Sequence, residues 1–116
     1  MSIAAGAALG AGDQGATALD RILDVARIGQ AAEMLGAATQ AFETTLEYLK
    51  TRTQFGALIG SFQALQHRAA KMYTDLEMTR SCVLAALAAL DSNANTIPEM
   101  ASLAKARASD TLHVIS

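Results

Sequence analysis

The chain of 116 residues has one cysteine, one proline, no tryptophan and few other aromatics, and each scarcity narrows what it can be. A lone Cys82 forms no internal disulfide and builds no cysteine-based metal site. Inside the apolar run Ser81-Cys82-Val83-Leu84 it reads as a small buried hydrophobe rather than a nucleophile. With Pro98 as the single proline, most of the chain is free to remain helical. Aromatics are only 4% of the residues while apolar residues are 52%, so the core must be built mainly from alanine, leucine and methionine. Alanine and leucine are strong helix formers, whereas strands favour β-branched and aromatic residues, and the expected fold class is all-α.

A surplus of one charge sign is also missing. The formal net charge of −2 provides no basic footprint for a phosphate backbone and argues against a nucleic-acid partner. Long apolar runs are missing as well: stretches such as Cys82 to Leu90 fall far short of the roughly 20 apolar residues that cross a bilayer, so no membrane insertion is expected. Ile3 to Leu9 is apolar but has no basic region before it, which argues against a secretory signal and leads to the expectation of a cytoplasmic protein. His67 and His113 lie far apart and have no second ligand at helical spacing, so neither is expected to hold a metal or to act in catalysis.

What is present is helical periodicity. Residues 1–18 are rich in alanine and glycine, show no sustained period and read as a flexible lead-in, with residues 19–116 as the domain. Thr17-Ala18-Leu19-Asp20 has the spacing of a helix-start capping box, and a short helix to about Leu23 is expected. From Asp24 the residues Ile28, Ala31, Leu35, Ala38, Phe42, Leu46 and Leu49 recur in steps of three and four, which places them on one stripe of a helix reaching Arg52 or Thr53. Gly56 then offers the left-handed conformation that closes a helix. A second stripe follows at Phe62, Leu65, Ala69, Met72, Leu76, Val83, Leu87 and Leu90, with Ser61 as its expected cap.

Asp91 to Asn95 form a polar turn, and Thr96-Ile97-Pro98-Glu99 combines a capping box with a proline suited to the first turn of a third helix. That helix carries Met100, Leu103, Ala104, Ala108, Thr111, Leu112 and Ile115 along one side. Short links between successive helices predict an up-down antiparallel bundle of three. The third helix stops at Ser116 without a glycine or a trailing loop, so the chain reads as a fragment of something longer.

One segment carries more chemistry than the rest. Arg52-Thr53-Gln54-Phe55-Gly56 joins a guanidinium, an amide, an aromatic ring and a glycine at a helix end, and Gln63 begins the next helix. On the residues alone, Arg52 can cap a helix C-terminus electrostatically while Phe55 staples two helices. Asp24 and Arg27, three apart, present a carboxylate and a guanidinium on one helical face, which can be no more than a cap and its solvated partner.

Taken in order, Asp24-Val25-Ala26-Arg27-Ile28-Gly29, Ala31-Ala32-Glu33-Met34-Leu35-Gly36, Arg52-Thr53-Gln54-Phe55-Gly56, Ile59-Gly60-Ser61-Phe62-Gln63-Ala64-Leu65-Gln66-His67, Met72-Tyr73-Thr74-Asp75-Leu76-Glu77 and Ala104-Lys105-Ala106 resemble the C-terminal helical domain of acyl-CoA dehydrogenases. The resemblance covers about Leu19 to Ser116. It implies the first three helices of a four-helix bundle in an oligomeric flavoenzyme, with the lead-in arriving from a β-domain.

The resemblance also implies FAD as cofactor. Arg52 corresponds to an arginine that reaches the FAD pyrophosphate largely bound by a neighbouring subunit, Gln54 and Phe55 to contacts beside it, and Gln63 to a glutamine that hydrogen-bonds the cofactor. Asp24 and Arg27 correspond to an Asp-x-x-Arg element that helps bind the acyl-CoA thioester. The implied reaction is α,β-desaturation of an acyl-CoA, within a homo-oligomer.

No catalytic residue is assigned. Some family members carry the base directly before the arginine equivalent to Arg27, where this chain has Ala26, and others carry it beyond the region matched here. Glu33 and Glu43 match no family base and read as solvated carboxylates. The fragment alone is expected to be inactive. An acyl-CoA oxidase or flavin monooxygenase of the same fold, or a non-enzymatic helical oligomerisation module, are the alternatives.

Overall fold

The computed structural model describes Gly6 and residues 14–116. Helix α1 (Gly15–Thr51) is followed by a two-residue strand β1 (Thr53–Gln54), its partner β2 (Ala57–Leu58), a 3-10 turn (Ile59–Ser61), helix α2 (Gln63–Asp91) and helix α3 (Ile97–Ile115). The three helices run up, down and up as an all-α bundle measuring 74 × 33 × 17 Å, and α3 packs against both of its predecessors.

The expected short helix before Asp24 does not exist as a separate element. Its residues belong to a continuous α1 of 37 residues, which starts after Gln14 without a side-chain cap, so the Thr17/Asp20 box is not made. Leu19 and Ile22 are exposed, and no packed end favours breaking the backbone ladder between them and Asp24. Of the lead-in expected over 1–18, residues 1–5 and 7–13 lie outside the described residues, while 15–18 form the first turn of α1.

The core is built largely of alanine. Ala31, Ala86, Ala101, Ala104 and Ala108 are buried with Ile28, Val83 and Ile97 in one cluster, while Ala38, Phe42, Leu76 and Ile115 form a second towards the other end. Small side chains at these contacts let helix axes approach closely, so dispersion between backbones replaces the bulk that aromatics would supply.

Three stripe positions differ from expectation: Phe62 is exposed at the start of α2. Leu87 and Leu103 are exposed, and Ala86 and Ala101 are buried in their place. The sequence stripe also passed over Thr79, which lies inside the bundle. Its hydroxyl donates to the Asp75 carbonyl at 2.8 Å and lies 2.7 Å from the Thr111 hydroxyl of α3. A hydroxyl has one proton, so Thr111 is the donor in the second bond.

Above this pair, Asp75 accepts from Lys71 at 2.7 Å and lies 3.7 Å from Arg107 of α3. The Lys71 hydrogen bond, against the opposing effect of burial, holds the Asp75 carboxyl below its ordinary range.

The expected helix caps are replaced by other devices. Ser61 does not cap α2: it lies in the 3-10 turn and donates to the Leu58 carbonyl at 2.7 Å, while Phe62 occupies the cap position. Thr96 precedes α3 without a side-chain cap bond, though Pro98 does sit in the first turn.

Candidate functional site

Two groups of polar residues stand at opposite ends of α1. At the C-terminal end Arg52 leaves the helix in an extended conformation, its N–H donating to the Tyr48 carbonyl. The Arg52 carbonyl accepts from the Ile59 N–H at 2.9 Å, and Thr53 pairs with Leu58 and Gln54 with Ala57. The result is a hairpin whose two turn residues, Phe55 (φ 54°) and Gly56 (φ 77°), are both left-handed. Two positive φ values across a two-residue loop make a type I′ turn, which matches the twist of the flanking strands. Gly56 is thus a hairpin residue five positions past the end of α1 at Thr51, not the helix cap expected of it.

The hairpin is held tightly to the bundle. A Cβ at Gly60 would lie 2.7 Å from the Leu49 carbonyl oxygen, so the 3-10 turn approaches α1 as closely as a glycine permits. Gln66 of α2 donates from its side-chain amide to the Gly60 carbonyl at 2.9 Å. On this base Phe55 is 93% exposed, with its ring centre 6.3 Å from that of Phe62 in a T-shaped arrangement. Arg52, Gln54 and Gln63 are exposed beside it. Arg52 takes part in none of the ion pairs among the described residues.

At the N-terminal end Asp24 is buried and its Oδ1 accepts from Arg27 Nη1 at 2.8 Å, with the Arg27 side chain still 47% exposed. From Asp24 to Arg52 the helix spans 28 residues, about 42 Å at about 1.5 Å per residue. Arg52, Gln54 and Phe55 thus share the hairpin region, Gln63 follows Phe62 at the start of α2, and Asp24 and Arg27 lie far along α1 from them. Ala26, Glu33 and Glu43 are exposed. Cys82 is half-buried, and among the described residues no three His, Cys, Asp or Glu side chains converge. No helix among them is long and apolar enough to cross a membrane.

Sequence reasoning missed two residues at this end. Arg21 Nη2 donates to Asn93 Oδ1 at 2.8 Å across 72 positions of sequence, and Asn93 has a left-handed φ of 50°. Neither lies on an apolar stripe. The one available signal was an asparagine in a polar turn, a residue that tolerates this conformation.

A sequence profile described as acyl-CoA dehydrogenase, C-terminal domain, matches residues 13–116. The chain belongs to the acyl-CoA dehydrogenase family. It is 43% identical over 94 residues to the mitochondrial short/branched chain specific acyl-CoA dehydrogenase of Bos taurus, covering 81% of this chain and 22% of that protein. An acyl-CoA dehydrogenase of Mycobacterium tuberculosis is 50% identical over 62 residues, covering 53% of this chain and 20% of that one.

The butyryl-CoA dehydrogenase of Megasphaera elsdenii superposes with a TM-score of 0.81 at 34% identity, over 84% of this chain and 25% of the other. The chain thus spans about a fifth of the length of the curated relatives named.

Proposed function

We propose that the chain is the first three helices of the C-terminal bundle of an FAD-dependent acyl-CoA dehydrogenase, which introduces an α,β double bond into an acyl-CoA thioester. Its share of the work is to hold FAD and to form subunit contacts. The observation that carries this reading is the hairpin after α1. A left-handed turn there sets an exposed aromatic ring beside a guanidinium that has no carboxylate partner among the described residues.

These residues fit the cofactor. A guanidinium offers paired donors that match phosphate oxygens, so Arg52 binds the FAD pyrophosphate. Phe55 lays its ring against the adenosine portion, and Gln54 and Gln63 supply amide hydrogen bonds. When bound, the flavin accepts the hydride that leaves the β-carbon of the substrate. At the far end of α1, Asp24 and Arg27 contact the acyl-CoA thioester, with Asp24 fixing the direction of the Arg27 guanidinium.

The base that removes the α-proton is not among these residues, since Ala26 occupies the one position in this segment where the family resemblance would put it. The chain alone is therefore inactive in this reading. In this reading the two clusters, about 42 Å apart along one helix, serve different active sites. Each site then takes its Arg52 and its Asp24 from different subunits of a homo-oligomer.

The test is the FAD content of the full-length enzyme after desalting. Arg52→Ala should lose most of its yellow absorbance while keeping its helical circular dichroism. Retention equal to that of the parent enzyme would remove Arg52 from the cofactor site.

A further inference from the structure

Leu103, Arg107, Asp110 and Val114 follow one another along α3 in steps of four, three and four. At about 100° per residue they fall on one stripe about 60° wide, with the a and d spacing of a coiled-coil seam. Leu103 is 44% and Val114 51% exposed, so an apolar side chain meets solvent at each end of the stripe. Asp110 between them is exposed as well.

The two central charges are incompletely matched within the chain. Arg107 lies 3.7 Å from Asp75 of α2, too far for a hydrogen bond, while Asp75 accepts a close bond from Lys71. Among the described residues Arg107 Nε and Nη2 are buried without an acceptor, a costly state for a charged group. Asp110 takes part in none of the ion pairs among those residues, not even with Arg107 one turn away.

The order apolar, cation, anion, apolar reads the same from either end once opposite charges are matched. Two antiparallel copies of α3, related by a two-fold axis between Ala108 and Ser109, set Leu103 against Val114 of the partner subunit. The same axis sets Arg107 against Asp110 of the partner subunit, twice over. A parallel pair would instead put each charge against its own kind.

We infer that α3 docks on α3 of a second copy through this antiparallel seam, with Arg107 and Asp110 pairing across it. The seam is about 17 Å long at about 1.5 Å per residue. That is short for an interface burying about 800 Å² per partner, so it joins subunits that also meet elsewhere. This rests on the reading of the chain as part of a homo-oligomer and names one of its contacts.

The experiment places cysteines in the full-length enzyme carrying Cys82→Ala. In Leu103→Cys/Val114→Cys the two thiols of one chain are too far apart for bismaleimidoethane to bridge along the helix, while each faces the other across the seam. A covalent dimer should form in this variant and in neither single one. Cross-linking in each single variant would reveal a parallel pair, and no cross-link in any variant would show the stripe covered by something else. Either result overturns the inference.

Asp110→Lys, at an exposed position, should keep the helical circular dichroism and weaken self-association about tenfold in sedimentation over a dilution series, because Arg107 then faces a like charge. Unchanged association would overturn the pairing. A parent enzyme that sediments as a monomer would remove the homo-oligomer reading and the seam with it, whereas an oligomeric parent without the cross-link removes the seam alone.

Discussion

The buried threonine pair makes the direction of a hydrogen bond measurable. Thr111 donates to Thr79, and Thr79 donates to the Asp75 carbonyl, so the two hydroxyls are not equivalent. Thr111→Val leaves Thr79 with its carbonyl acceptor, and its cost is the net worth of one hydrogen bond, about 1 kcal/mol. Thr79→Val strands the buried Thr111 hydroxyl without an acceptor and should cost about 1–3 kcal/mol.

In the double variant both polar groups are gone from a site of unchanged shape, and its stability should exceed that of Thr79→Val alone. Urea denaturation of the four chains checks the order. Equal losses in the two single variants would show that the donor role is shared, and a larger loss in Thr111→Val that the assignment is reversed. Nothing in the apolar pattern announced this pair, because a count of apolar positions treats a threonine as a gap. The physical role appears only when α3 supplies the second hydroxyl.

Among the elements, the hairpin holds a residue its backbone does not favour. A type I′ turn strongly prefers asparagine or glycine at its first position, and a left-handed phenylalanine costs about 1–2 kcal/mol. The ring recovers little of that within the chain, being 93% exposed. Strain of this kind persists where the side chain is needed for something outside the chain.

Phe55→Asn should therefore raise the melting temperature by a few degrees, in line with a gain of about 1 kcal/mol. At the same time it should weaken FAD retention in the full-length enzyme. A variant that is less stable, or one that retains FAD unchanged, would break the link between strain and cofactor contact.

The helices themselves were legible because each buries a stripe long enough to set a period: Ile28, Ala31, Ala38 and Phe42 are buried as the spacing requires. The hairpin was not. Strands of two residues have no alternation to detect, and Phe-Gly carries no asparagine to mark the turn. Gly56 was recognised as left-handed and assigned to the wrong element. Leu87 and Leu103 misled for a different reason: in an alanine-rich bundle the closest contacts go to the smallest side chain on the stripe, so Ala86 and Ala101 take the interior.

For the whole molecule, the length of α1 bears on the proposed sharing of sites between subunits. Arg52 and Asp24 were legible as separate motifs, and their distance follows from the residue count once α1 is continuous. If each active site combines Arg52 of one subunit with Asp24 of another, defects in the two residues should complement. Arg52→Ala and Asp24→Asn full-length chains, each poorly active alone, would be unfolded, mixed in equal amounts and reassembled with FAD.

In a two-fold dimer the interface is reciprocal. A mixed dimer then has one site carrying both substitutions and one site carrying neither. Random pairing makes half of the dimers mixed, so activity should recover to about a quarter of the parent value. If both residues served the same site from one chain, every site in the mixture would carry one defect. Activity would then stay at the mean of the two variants, and the cross-subunit site would be excluded.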